Sequence, residues 1–219
     1  MNDAKFKVTE IFESIDGEGI RTGYPVTFIR LHGCNLKCSY CDSQYSCVGN
    51  DYTEMSLQEV LDKVHLLSHQ RVTLTGGEPL VHKDAELLVD ALSEHYEVNV
   101  ETNGSVDLTE WIEKYPQVIY TMDWKSPSSG MNSQMLEDNL GILRDKDVLK
   151  FVVGTQEDLF EMLKVSEYIN PDVNTFVSPI FGEIEPREIV EFLLKYKVNK
   201  IRLQLQLHKL VWDPMKRGV

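Results

Sequence analysis

Residues 71–79 read Arg71-Val72-Thr73-Leu74-Thr75-Gly76-Gly77-Glu78-Pro79. The β-branched apolar run predicts a buried strand. It ends in two glycines, a carboxylate and a proline, which stop a strand and open a turn. The same pattern recurs along the chain. Run 26–31 (VTFIRL) leads into His32, Gly33 and a group of cysteines. Run 97–102 (EVNVET) leads into Asn103-Gly104, and 118–122 (VIYTM) into Asp123-Trp124-Lys125-Ser126. Runs 148–153 (VLKFVV), 174–177 (NTFV, then Ser178-Pro179) and 200–205 (KIRLQL, then Gln206 and His208) complete the set.

Several intervening stretches have helical period. Segment 56–68 puts Leu57, Val60, Leu61, Val64 and Leu67 on one face, with Ser56 as N-cap. Segments 85–95, 136–143, 159–169 and 187–196 read alike, and Pro186 suits the start of the last. From Arg71 the strands recur every roughly 20 to 30 residues, the length of a βα unit. That alternation predicts an α/β fold with a parallel sheet. Six or seven units are too few for a closed eightfold barrel, which leaves an incomplete barrel or an open doubly wound sheet. In either, the site lies at the C-terminal strand ends. The glycine and polar motifs follow the strands, so they predict one shared site. No linker or low-complexity stretch interrupts the chain, and residues 1–219 are expected to form one domain.

The chain has 219 residues, with 22 Lys+Arg against 35 Asp+Glu, a formal charge of −13. That acidity argues against direct nucleic-acid binding, which needs a basic face, and against a polybasic membrane surface. No apolar run is long enough to span a bilayer, and the N-terminus carries no apolar signal core. The expected location is the cytoplasm. The chain is long enough to bury a core without disulfides.

All four cysteines, Cys34, Cys38, Cys41 and Cys47, fall in the segment 32–47. Clustered cysteines in a reducing compartment read as a metal or redox site. Three thiolates spaced C-x3-C-x2-C can hold three corners of an iron–sulfur cluster, leaving one iron open. The rival is a structural zinc site that includes Cys47. Zinc sites commonly pair two knuckles across a longer insertion, and a second knuckle is absent. Cys47 by itself reads as an ordinary buried thiol.

Cys34, Cys38, Tyr40 and Cys41 resemble the hallmark of the radical S-adenosylmethionine enzymes. Gly76-Gly77-Glu78-Pro79 resembles that superfamily's methionine-binding motif. The resemblance implies a partial (β/α)6 TIM-like barrel, in which some helices can be shortened. It also implies a [4Fe–4S] cluster on Cys34, Cys38 and Cys41, with S-adenosyl-L-methionine as cosubstrate. A glycine pair lets backbone approach a cofactor closely, and the cofactor would carry the difficult chemistry.

A finer resemblance covers nearly the whole chain. Segment 10–19 (EIFESIDGEG), residues 28–31 (FIRL), Cys41-Asp42-Ser43, residues 101–104 (ETNG), residues 125–129 (KSPSS) and residues 206–209 (QLHK) are similar to 7-carboxy-7-deazaguanine synthases. That family converts 6-carboxy-5,6,7,8-tetrahydropterin to 7-carboxy-7-deazaguanine with loss of ammonia, toward queuosine-type tRNA bases. The resemblance implies substrate contacts at Ile15, Asp16, Gly17, Glu18, Arg30, Thr75, His208 and the C-terminal Val219. Arg30 is suited to a carboxylate because its guanidinium offers paired donors. Asp16 stands where the family usually has Gln.

By the same resemblance, S-adenosylmethionine would lie against Tyr40, Asp42, Gly76, Gly77, Glu78, Asn103, Asp123, Trp124, Lys125 and Ser126. Ser178, Pro179, Ile180 and Phe181 would complete that site. Mg²⁺ would bind at Ser43, replacing a commoner Thr, since Mg²⁺ takes oxygen ligands and retains waters. Taken alone, Ser43 is a turn residue, Lys125 a surface lysine and His208 a core histidine. A flavodoxin or ferredoxin donor and a homodimer are implied. Two other readings stand beside this one: a glycyl-radical-enzyme activase and a zinc-stabilised binding module.

Overall fold

The computed structural model describes residues 4–214 and 216–219. Along the described chain, β1 (Lys5–Ile15), β2 (Pro25–Leu31), β3 (Thr53–Ser56) and α1 (Leu57–Leu67) come first. Then β4 (Arg71–Gly76), α2 (Ala85–Ser93), β5 (Glu97–Thr102), α3 (Thr109–Lys114) and β6 (Ile119–Lys125) follow. The chain continues through α4 (Asp138–Ile142), β7 (Val148–Val153), α5 (Gln156–Val165) and β8 (Asn174–Pro179). It ends with α6 (Pro186–Lys195), β9 (Ile201–Leu203) and α7 (His208–Val211).

One sheet holds all nine strands in the order β3-β1-β2-β4-β5-β6-β7-β8-β9. From β2 to β9 the pairings are parallel and strictly sequential. A doubly wound sheet reverses direction at a switch point, and this one never does. It winds one way, as a barrel does, with β3 and β9 left as open edges. The fold is therefore a partial barrel. Antiparallel β1 and β3 extend the sheet beyond β2. Neither was among the expected strands. The helix at α3 was also unexpected, α4 is shorter than the expected 136–143, and α5 starts ahead of the expected 159.

Local chemistry explains the helix starts. Ser56 Oγ accepts from Glu59 N at 3.3 Å, and the Glu59 carboxylate accepts from Ser56 N at 2.7 Å, closing a capping box on α1. Thr155 and Asp158 do the same for α5, and Pro186 opens α6.

Strand alternation divides the sheet into two faces. Val72, Leu74, Val98, Val100, Tyr120, Met122, Leu149 and Phe151 are fully or nearly fully buried in the hydrophobic core. Their neighbours on the opposite face are Phe28, Arg30, Thr75, Glu101, Asp123, Lys125 and Lys150, which line a cavity. Register places these polar side chains side by side: Arg30 pairs Thr75, Glu101 pairs Thr121, and Asp123 pairs Lys150. The concave face is thus polar. No described helix is long and apolar enough to cross a membrane.

Candidate active site

The cavity on the concave face has a volume of about 470 Å³, within the range of small-molecule sites. Its wall combines the cysteine loop, the ends of β2 and β4–β7, and the C-terminal segment. Cys34, Cys38, Cys41 and Cys47 all line it as free thiols. Among the described residues no three Cys, His or acidic groups close on a single ion. Asn103 Nδ2 lies 3.7 Å from Cys34 Sγ and Leu36 N lies 3.4 Å from it. Hydrogen bonding from Cys47 pushes the Cys34 and Cys41 thiols down to about 6 each, toward the thiolate that metals bind.

The glycine turn after β4 is built for close approach. A Cβ on Gly77 would lie 2.2 Å from Gly33 O and 2.8 Å from Cys34 Cβ. Gly76, at φ +149°, would meet Leu31 O at 2.2 Å. Gly77 N donates to Leu31 O and Glu78 N to Gly33 O, at 3.1 and 2.9 Å. The turn is therefore fastened to the cysteine loop through backbone alone.

Beyond the thiols the wall has buried polar atoms with no protein partner, among them Tyr40 Oη and Asp123 Oδ1. Such atoms are costly unless a ligand satisfies them. Asp123 Oδ2 holds Lys125 Nζ at 2.9 Å and faces Lys150 Nζ at 3.8 Å. Burial alone would lower Lys125, but Asp123 and its neighbours outweigh that and hold it above the ordinary lysine value, hence charged. A methionine-type amino acid with an adenosine tail fits this donor and acceptor set.

Across the cavity Arg30 Nε donates to Glu10 Oε1 at 2.7 Å, and Tyr45 Oη donates to the same oxygen at 2.7 Å. Arg217 stacks on the Tyr45 ring, 3.7 Å from its centroid. Glu18 accepts from Lys150 Nζ at 2.9 Å, Gln206 Nε2 at 3.3 Å and Ser178 Oγ at 3.3 Å. Burial pushes the Glu18 carboxyl up, but Lys150 and these donors together hold it below the usual range. His208 packs on Gly17, where a Cβ would meet its Nδ1 at 2.2 Å. Lys209 Nζ pairs with Asp42 at 2.9 Å. Ser43 Oγ is 3.8 Å from Cys41 Sγ. Gly218 and Val219 close one side.

Most residues singled out from the sequence meet here, including Ile15, Thr75, Asn103, Ile180 and Phe181. Six do not line the cavity. Asp16 turns inward, 2 % exposed, with Oδ2 2.7 Å from Arg21 Nε and Oδ1 3.1 Å from Thr73 Oγ1. Its side chain braces the barrel floor and does not present to a ligand. Glu78 is likewise buried, its carboxylate accepting from Leu80 N, Thr102 Oγ1 and Asn103 N at 3.0, 2.9 and 2.6 Å. It ties the β4 turn to the β5 turn from outside the cavity lining. Trp124 packs into the core, Ser126 and Ser178 are fully buried, Pro179 is half-buried, and none of the four lines the cavity. Conversely, sequence reading missed Tyr45, Glu101 and Lys150, all in the wall. The period-2 polar positions of β5–β7 carried that signal for the last two.

A family model described as the radical SAM superfamily matches residues 28–193. A 7-carboxy-7-deazaguanine synthase of Clostridium acetobutylicum is 41% identical over 219 residues, covering 98% of this chain and 99% of that one. A protein of the same name from Methanospirillum hungatei is 40% identical, covering 95% and 86%. The crystal structure of QueE from Escherichia coli superposes with TM-score 0.74 at 23% identity, covering 93% of this chain and 95% of that one, a likeness of fold. The thiol-lined cavity, the glycine turn and the full-length similarity agree: the chain is a radical SAM enzyme and belongs to the 7-carboxy-7-deazaguanine synthase family.

Proposed function

We propose that the enzyme converts 6-carboxy-5,6,7,8-tetrahydropterin to 7-carboxy-7-deazaguanine with loss of ammonia, as a carbon–nitrogen lyase of queuosine-type biosynthesis. One observation carries this reading: the thiols and glycine turn share a single cavity with the Arg30 guanidinium and the buried Glu18 carboxylate. The full-length relatives bear the matching name.

In this reading Cys34, Cys38 and Cys41 hold a [4Fe–4S] cluster, and S-adenosylmethionine lies along Tyr40, Asp42, Gly77, Asn103, Asp123 and Lys125. Bound together, these groups supply a 5′-deoxyadenosyl radical for hydrogen abstraction from C6 of the pterin. Arg30 has its Nε tied to Glu10, which leaves both Nη nitrogens for the substrate carboxylate. Glu18 has three donors, and a carboxylate has room for about four, so one acceptor position remains for the pterin edge. Lys150 keeps that carboxylate ionised. The 15–17 backbone, Thr75, His208 and Val219 complete the substrate wall, and Ser43 supplies a hydroxyl to Mg²⁺. Residues 216–219, with Arg217 stacked on Tyr45, form one side of the same cavity. Residues 1–219 act as one cytoplasmic domain in a homodimer, with loop 32–47 carrying the cluster. A flavodoxin or ferredoxin supplies electrons, and neither nucleic acid nor membrane is touched. An activase would need a protein backbone to enter, which a cavity lined on one side by residues 216–219 does not favour.

Arg30→Ala tests the substrate assignment. Losing a charge-assisted pair costs about 1.5–3 kcal/mol, so pterin affinity should fall about 10- to 100-fold in anaerobic calorimetry, with iron content unchanged. Unaltered affinity would remove Arg30 from the site.

A further inference from the structure

The C-x3-C-x2-C spacing accounts for three thiols and leaves Cys47 outside. In the structure it is not apart from them. Gln44–Ser46 forms a single tight helical turn that carries Cys47 back toward the loop, with Cys47 N donating to Gln44 O at 3.0 Å. The turn is pinned by Gly33 N donating to Ser46 O at 2.7 Å and by Ser46 Oγ donating to Ser43 O at 2.8 Å. Cys47 Sγ then lies 3.9 Å from Cys41 Sγ. Cys47 Sγ also donates to Ser43 O at 3.6 Å. The thiol outside the motif is thus seated against one thiol of the motif, on the cavity wall. Gly49, two residues on, has φ +88° and nothing within 4 Å of where a Cβ would stand.

We propose that Cys47 is a fourth thiolate for the iron–sulfur cluster, held on the otherwise open iron when S-adenosylmethionine is absent and displaced when that cofactor binds. The inference rests on the reading of Cys34, Cys38 and Cys41 as the three fixed ligands. Four thiolates are the usual complement of such a cluster. A cluster with three exposes one iron to water and oxidants, and a thiol on the same loop as the three ligands, 3.9 Å from one of them, is placed to swing onto it. Cys47 releases one proton on binding iron and regains one on leaving. The cofactor's amino and carboxylate groups form two bonds to that iron where the thiolate forms one, which favours the exchange in one direction.

The test uses the full chain loaded anaerobically with ferrous iron and sulfide. Iodoacetamide is applied with and without S-adenosylmethionine, and labelling at each cysteine is read by peptide mass spectrometry. Cys47 should be protected without the cofactor and fully labelled with it, while Cys34, Cys38 and Cys41 stay protected in both. Equal labelling of Cys47 in the two conditions, high or low, overturns the proposal. A second measurement uses ⁵⁷Fe Mössbauer spectra without the cofactor: Cys47→Ser should show one iron with an oxygen or nitrogen ligand, and the parent chain none. Identical spectra overturn it as well. A chain that takes up no iron refutes the three-thiol reading itself, and this inference with it, so the two failures are distinct.

Discussion

Gly77 is the residue on which the site closes. Its Cα approaches Gly33 O and Cys34 Cβ so nearly that a methyl group would stand 2.2 and 2.8 Å from them. Gly77→Ala must push the cysteine loop outward. Overpacking of this kind costs about 1–3 kcal/mol, and iron uptake per chain should fall with it; parent-like iron content would contradict the close approach. Glu78 is a different case. The motif places it beside the glycines, but only the fold shows its carboxylate turned away onto three donors. Glu78→Gln sets an amide NH₂ against those donors, so the metal-free chain should lose about 1–3 kcal/mol in urea unfolding. A residue that merely touched the cofactor would leave metal-free stability unchanged. Glu101 and Lys150 illustrate what a motif search passes over. Their importance comes from register, which sets them beside Thr121 and Asp123; Glu101 opens the ETNG string, but the string does not tell which way its side chain faces.

The strands after residue 71 were legible because each is a compact β-branched run ending in glycine or polar residues. β1 was not read, although Phe6 and Val8 are buried between exposed Lys5 and Lys7, an alternation of period two. The flanking lysines diluted its hydrophobicity. β3 is four residues long and owes its existence to pairing with β1. α3 offers a short, polar segment whose tertiary setting decides. The link from β1 to β2 carries its own testable chemistry. There Asp16 is buried against Arg21, and burial pushes its carboxyl up to about 6, against about 3.9 in an unfolded chain. Between those values the folded chain binds a proton that the unfolded chain has lost. Unfolding free energy therefore falls as pH rises through that window, by on the order of 2–3 kcal/mol for this group. Asp16→Asn removes the ionisation. Its urea-unfolding curve should lose that share of the decline between about pH 4 and pH 6; a slope equal to the parent's would show that Asp16 titrates normally.

At the scale of the whole molecule, sequence periodicity reached the parallel α/β class and stopped between two architectures. Strand order decided between them: a sheet that winds one way curves around a polar concave face, whereas a reversing sheet has no such interior. That curvature brings residues from β1 to the C-terminus into one cavity. The tail belongs to this assembly, with Lys209 on Asp42 and Arg217 on Tyr45. Removing residues 216–219 should leave cluster loading intact and reduce pterin turnover; unchanged turnover would show that the tail does not close the site. The central claim is that one cavity serves cluster, cofactor and pterin together. Anaerobic incubation of the iron-loaded enzyme with dithionite, S-adenosylmethionine and 6-carboxytetrahydropterin, followed by mass analysis, measures it directly. The account predicts 7-carboxy-7-deazaguanine and released ammonia, both lost in Cys34→Ala. Cofactor cleavage with the pterin recovered unchanged would contradict it.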